Sequence, residues 1–299
     1  MASESHEPAG EETLSERLGG MAYAYRNSPE FLAAKRGRAH GGRDWEAPGA
    51  GGPQPPATIR DDVGAASGGF SDRLAGRIAV ALILVSGPGP ALTLTDEHKL
   101  KITSEVQHGL SWLAAQSLAR DVTWVPRIEA IAVDVPDTAA GSSYEALEAP
   151  WRDAALARLN VGPGLGGVRD HLRRLMADVQ AERAFCAFFT RYRLRHFAYA
   201  GLGGPRLVMH YDNDGWGAEN IDRVFAHETC HIFGAADEYA KSGCTCDGAY
   251  GVHGAPNGNC QPCAPGGGVD CIMRANDWAM CDFTRAHLGL APVPAAAMA

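Results

Sequence analysis

Hydrophobic and polar positions divide the chain into three textures. Over residues 1–72 no apolar period of 3.6 or 2 is sustained, and stretches such as GGRDWEAPGAGGPQPPATIR are dense in Gly, Pro and Ala. Such a segment buries too little apolar surface to offset its chain entropy, so it predicts a largely disordered tail with room for one short helix over 12–34. A pro-segment or export address is the functional reading; a solvated tail is preferred, because composition supports nothing sharper. From residue 77 strand-like and helix-like blocks alternate. IAVALILVSG at 78–87 predicts a buried strand stopped by Gly-Pro-Gly-Pro. Thr95 ahead of Asp96 and Glu97 marks a helix start, and Leu100, Ile102, Val106, Leu110 and Leu113 recur at helical spacing. Residues 122–135 read as a second strand, with Pro126 placing its first half at an edge or bulge. Helices over 144–159 and 167–182 follow, then strands over 184–189, 191–198 and 206–211. A helix opens at Asn220 and stops at Gly234. Residues 240–282 have almost no period, and 283–290 reads as a short closing helix.

This order predicts an α+β fold: a mixed twisted sheet, backing helices, one helix carrying the chemistry, and a loop-rich, cysteine-containing C-terminal lobe. The boundaries are a tail or pro-segment over 1–72, an upper subdomain over 73–234, a lower lobe over 235–290 and a terminal tail over 291–299.

Composition narrows the function. With 45% hydrophobic and 21% charged residues the chain has a globular balance. The longest apolar run, 78–85, is far short of the about 20 residues a membrane span needs. A net charge of −8 opposes the basic footprint that phosphate binding requires. The first twenty residues carry Glu and Gly where a secretory signal needs a basic start and an apolar stretch. The expected partner is therefore a protein or peptide substrate, with no nucleic acid and no membrane, and the chain is expected to be a monomer. Export by a non-classical route is the favoured location, the cytoplasm the alternative.

The decisive string runs from Arg223 to Tyr239, RVFAHETCHIFGAADEY. His227 and His231 are four residues apart, so on a helix both imidazoles project from one face and can share a tetrahedral Zn2+. Glu228, about 100° round the helix, can reach a metal-activated water without being a ligand. Gly234 can take the left-handed conformation that ends a helix and turns the chain back, bringing Asp237 under the metal as third ligand. At this chain's composition H-E-x-x-H arises by accident in roughly one such chain in fifty, and with G-x-x-D added in roughly one in six thousand, which makes the string a strong signal. A structural zinc closes all four positions with Cys or His; here three ligands leave one position open beside a glutamate, as catalysis requires.

At these residues the sequence resembles the metzincin clan of zinc peptidases, whose motif runs H-E-x-x-H-x-x-G-x-x-H/D. His227, Glu228, His231, Gly234 and Asp237 each match it. The aspartate followed by Glu-Tyr is similar to bacterial peptidases of the IgA-peptidase-like kind and shares the aspartate ligand of snapalysin-like enzymes. The resemblance implies a zincin-like catalytic domain, a single catalytic Zn2+, and a methionine on a tight turn beneath the metal, which Met273 fits. It also implies hydrolysis of a peptide bond with Glu228 as general base and then acid. Ala275 stands where some members have a tyrosine, so no oxyanion-stabilising tyrosine carries over. No cysteine precedes Cys186, which excludes a cysteine-switch latch. Glu238 is the alternative third ligand; Asp237 is preferred because it alone keeps the spacing.

Six cysteines, Cys244, Cys246, Cys260, Cys263, Cys271 and Cys281, follow that string. They fit disulfides, which are preferred for a lobe with little apolar sequence, or a second, structural Zn2+. Cys186 and Cys230 are expected to be buried thiols. Arg191, Arg193 and Arg195 alternate on one expected strand face; a solvated face is preferred, and recognition of acidic substrate residues is the sharper reading. Two rivals remain open: an inactive zinc- and cysteine-rich binding protein, and a metal-dependent hydrolase of a small amide.

Overall fold

The computed structural model describes residues 12–45, 58–59, 70–117, 121–137 and 143–294. Its centre is the strand β2 (Gly76–Ser86), which is buried on both faces. Ile78, Val80, Leu82 and Leu84 enter one apolar core, while Ala79, Ala81, Ile83 and Val85 enter another. That period of two is what a strand demands, and burial on both faces explains why the run is continuously apolar. β3 (Val122–Ala132) and β4 (Arg183–Thr190) flank β2 in parallel. β6 (Arg206–His210) continues in parallel beyond β4, and β5 (Ala198–Gly201) returns antiparallel to β6. The two-residue β1 (Thr58–Ile59) adds to β5, giving the order β1-β5-β6-β4-β2-β3. The fold is thus α+β with a mixed sheet, and Pro126 lies on the edge strand β3 as its missing donor requires.

Helices cover both faces. α1 (Leu14–Arg26), α3 (Asp96–Ala115) and α6 (Ile221–Ile232) bury Leu18, Ile102, Val106, Leu110, Val224 and Phe225 in the first core. α4 (Tyr144–Arg158) and α5 (Gly164–Val179) bury Trp151, Leu156, Val168 and Leu172 in the second. Each fully buried side chain of this size contributes about 1.5–3 kcal/mol. β5 and β6 are tied to α4 by Glu148, which accepts hydrogen bonds from Tyr199 Oη at 2.9 Å, Arg206 Nε at 2.6 Å and Arg152 Nη1 at 2.7 Å. No helix among the described residues is long and apolar enough to cross a membrane.

Two expectations are corrected. Within the tail over 1–72, expected to be largely disordered, the one short helix allowed over 12–34 is two helices and the folded part reaches Trp45: α1 is closed by a capping box at Thr13 and Glu16, and α2 (Pro29–Arg36) buries Phe31. Short helices with few apolar residues give a weak periodic signal, and docking on α3 supplies what propensity does not. Residues 46–57 and 60–69 lie outside the described residues. The strand expected over 191–198 is a loop up to Phe197. Thr190 Oγ1 accepts from Tyr192 N at 3.2 Å and turns the chain, and Tyr192 is drawn into the second core with its hydroxyl donated to Val135 O at 2.5 Å.

The lower lobe carries the disulfides Cys244–Cys260 and Cys246–Cys263, while Cys271, Cys281, Cys186 and Cys230 are buried free thiols. It closes with α7 (Asp282–His287). His287 is fully buried against the Tyr250 ring, and burial pushes its pKa down to about 4. Its neutral form is favoured in the folded chain, so this contribution is complete above the unfolded value of about 6.5 and is lost as pH falls through about 4, a span worth about 3 kcal/mol. Denaturant melts at pH 7 and pH 4 should therefore show a smaller acid-induced loss of stability for His287→Gln than for the wild type. Equal losses in the two proteins would remove His287 from the account.

Candidate metal centre

α6 is a buried helix: of its twelve residues only Arg223 is not buried. Its N-terminal end is pinned through Asp222, which takes Arg38 in a two-pronged pair at 2.9 and 3.1 Å, His108 at 2.7 Å and Lys35 at 3.2 Å. Burial works against the Asp222 carboxylate, but these cations and the His108 hydrogen bond hold its pKa down at about 2. Asn220 does not cap the helix with its side chain, which instead donates to Trp216 O and Ala39 O. At the other end Gly234 takes a φ of +91°, and a Cβ there would sit 2.9 Å from Gly251 Cα, so the turn requires glycine.

That turn brings Asp237 back to the two histidines. His227 Nε2, His231 Nε2 and Asp237 Oδ1 form a triangle with all three sides 3.2 Å. A tetrahedral ion held at about 2.0 Å has ligand atoms about 3.3 Å apart, so the triangle has the size of three corners of a zinc site. Each imidazole is oriented from behind: His227 Nδ1 donates to Ile272 O at 2.9 Å and His231 Nδ1 to Ala235 O at 2.7 Å. Those bonds place the hydrogens on Nδ1 and aim both Nε2 lone pairs at the same point, the tautomer a metal requires. Two lone pairs and a buried carboxylate oxygen facing one another repel unless a cation sits between them. Burial lowers the His231 pKa, but Asp237 overrides it and raises it to about 9, and both histidines hold the Asp237 carboxyl well below the usual range against burial. These three residues can hold a metal ion.

Glu228 lies beside His227 in the same small cavity, with Trp45, Phe197, Ala198, Val224 and Tyr239. Its Oε2 is buried with no hydrogen-bond partner, and burial first, then Asp237, raises its pKa. Glu238 points elsewhere. Its Oε1 accepts from Cys281 Sγ at 2.9 Å and Thr284 Oγ1 at 2.8 Å, and its Oε2 accepts from Asn259 Nδ2 at 2.6 Å. Glu238 therefore does not join His227 and His231. Met273 is fully buried on the turn from Cys271 to Ala275, and its carbonyl accepts from Glu238 N at 3.0 Å, tying that turn to the ligand segment. Cysteine groups also come together: Cys246, Cys260 and Cys263 in the disulfide lobe, and Cys271 with Cys281 around Glu238.

One residue of the site was not expected. Trp45 Nε1 donates to Ile272 O at 2.7 Å, the same carbonyl that orients His227, and its ring lies 5.1 Å from the His227 ring and 5.1 Å from the Trp216 ring. The segment leading to it is fastened to the turn after Met273 by Gly42 N to Asn276 O at 2.8 Å, Asn276 N to Arg43 O at 2.8 Å and Trp45 N to Arg274 O at 3.2 Å. As a result His227 and Glu228 are 5% exposed and Asp237 4%, and the cavity beside them measures about 20 Å3, room for about one water. The only hint in the sequence was one large aromatic residue in a stretch otherwise poor in apolar side chains. Known protein families, curated proteins and solved structures contain no match to this chain.

Proposed function

We propose that the chain is a zinc-dependent endopeptidase with a zincin-like catalytic domain, in keeping with its resemblance to the metzincins. The observation that carries this reading is the 3.2 Å triangle of His227, His231 and Asp237 with an unpartnered Glu228 carboxylate oxygen beside it. His227, His231 and Asp237 would hold Zn2+, which supplies a Lewis acid that polarises the scissile carbonyl and acidifies a water. Glu228 accepts the proton of the attacking water and returns it to the departing amine, acting as base and then acid. Ile272 O and Ala235 O keep the imidazoles turned to the metal throughout. An extended substrate would add as a strand along β5, whose Ala200 and Gly201 pair with β1.

Incubation of the zinc-loaded protein with a mixed peptide library, with and without a chelator, tests the reading. Cleavage that the chelator stops and zinc restores is expected; a library left intact under both conditions contradicts it. The small cavity favours one second reading, a metal-dependent hydrolase of small amides, and Trp45 separates the two. If a polypeptide is the substrate, the Trp45 ring has to leave, so Trp45→Ala should speed removal of zinc by a chelator about tenfold, as a fall of about 1.4 kcal/mol in the cost of local opening would. It should raise peptide hydrolysis at the same time. Unchanged zinc release with hydrolysis confined to small amides would favour the second reading.

A further inference from the structure

The loop that replaces the expected strand over 191–198 lines a groove next to the candidate metal centre. Arg191, Arg193, Arg195, His196 and His210 surround a groove of about 570 Å3, and its end wall, Phe197, is also a wall of the small cavity beside Glu228. The two hollows are therefore separated by the step from Phe197 to Ala198, where β5 begins. In a chain of net charge −8, three guanidinium groups against two carboxylates, Asp137 and Asp212, make this a local reversal of sign. Asp137 Oδ1 accepts from the backbone N of Arg193 at 3.3 Å, and Asp212 is 3.7 Å from Arg191 Nη2 while half exposed. Arg195 lies over the Tyr144 ring at 5.7 Å, and that ring also meets the His196 ring at 5.7 Å and the Tyr199 ring at 4.6 Å. The Arg191 Nε is buried without a hydrogen-bond partner among the described residues.

We infer that this groove binds acidic side chains of a peptide substrate, so that cleavage falls close to Asp or Glu residues. The inference rests on the peptidase reading for its consequence, though not for the binding itself. A peptide lying along β5 passes from the metal cavity at Ala198 to the groove at Phe197 within one residue step of about 3.3 Å, so the recognised side chains lie within a few residues of the scissile bond. Arginine suits the task because its planar fork pairs with carboxylates in two-pronged fashion.

The test uses the full chain carrying Glu228→Gln, so that ligand is not consumed. Two fluorescent peptides identical except for four Glu or four Gln are titrated at low and raised salt. The Glu peptide is expected to bind about tenfold tighter at low salt and to lose that margin as salt rises, as exposed ion pairs do. Arg193→Glu with Arg195→Glu, both at exposed positions, should abolish the margin, and Arg193→Gln with Arg195→Gln should reduce it. Equal binding of the two peptides, a margin that survives charge reversal, or an oligonucleotide of equal charge competing as well as the Glu peptide would each overturn the inference. Hydrolysis by the wild type without any acidic preference would overturn it while leaving the peptidase reading intact. A Glu margin in a protein that cleaves no peptide would uphold the groove and remove the peptidase reading instead.

Discussion

Glu228→Gln should keep its zinc and lose peptide hydrolysis by a factor of about 10²–10⁴, the usual contribution of a positioned general base. The side chain lies in the cavity beside His227, and its Oε2 has no partner among the described residues. Glutamine has the same shape but cannot accept the proton of the attacking water, and Glu228 is not one of the three atoms of the metal triangle. Zinc content should remain at one per chain, measured by elemental analysis, while turnover of any peptide cleaved by the wild type collapses. Loss of zinc from this variant would mean that Glu228 is a ligand. Activity within a few-fold of the wild type would mean that another group handles the proton.

Asp237→Ala should lower zinc affinity by more than the about 10–100-fold that loss of a hydrogen-bond partner behind a ligand costs, because it removes one of the three ligand atoms themselves. The paired substitution gives the comparison its force. Glu238 is the next residue and carries the same charge, yet its two oxygens are occupied by Cys281, Thr284 and Asn259. Glu238→Ala should leave three buried donors unmet at about 1–3 kcal/mol each, so it should melt earlier even in chelator. Competition titration with a zinc chelator separates the two: affinity falls for Asp237→Ala, and stability of the metal-free chain falls for Glu238→Ala. The reverse pattern would exchange their roles.

The elements that were readable in the sequence share a physical cause. The β2 run is apolar because both its faces are covered, and α6 carries its histidines four apart because one face of a helix has to deliver both. Gly234 was legible because only a residue tolerant of positive φ turns the chain back there. The rest depends on tertiary contacts that no local pattern encodes. Trp45 reaches the metal centre through hydrogen bonds to a turn more than 220 residues away in sequence. The arginines of 191–195 alternate like a strand, but Tyr192, between them, is pulled into the second core and the alternation becomes a loop. Disulfides account for four of the six C-terminal cysteines; Cys271 and Cys281 stay reduced around Glu238, a grouping that depends on where α7 packs.

The central claim is that a zinc ion sits on His227, His231 and Asp237, and not among the cysteines. X-ray absorption at the zinc edge of the protein loaded with one equivalent measures this most directly, because nitrogen and oxygen ligands scatter from about 2.0–2.1 Å and thiolate sulfur from about 2.3 Å. The account predicts a shell of nitrogen and oxygen alone, in which replacing His231 with alanine removes an imidazole contribution. Sulfur in the first shell of the wild type, unchanged by that substitution, would contradict it.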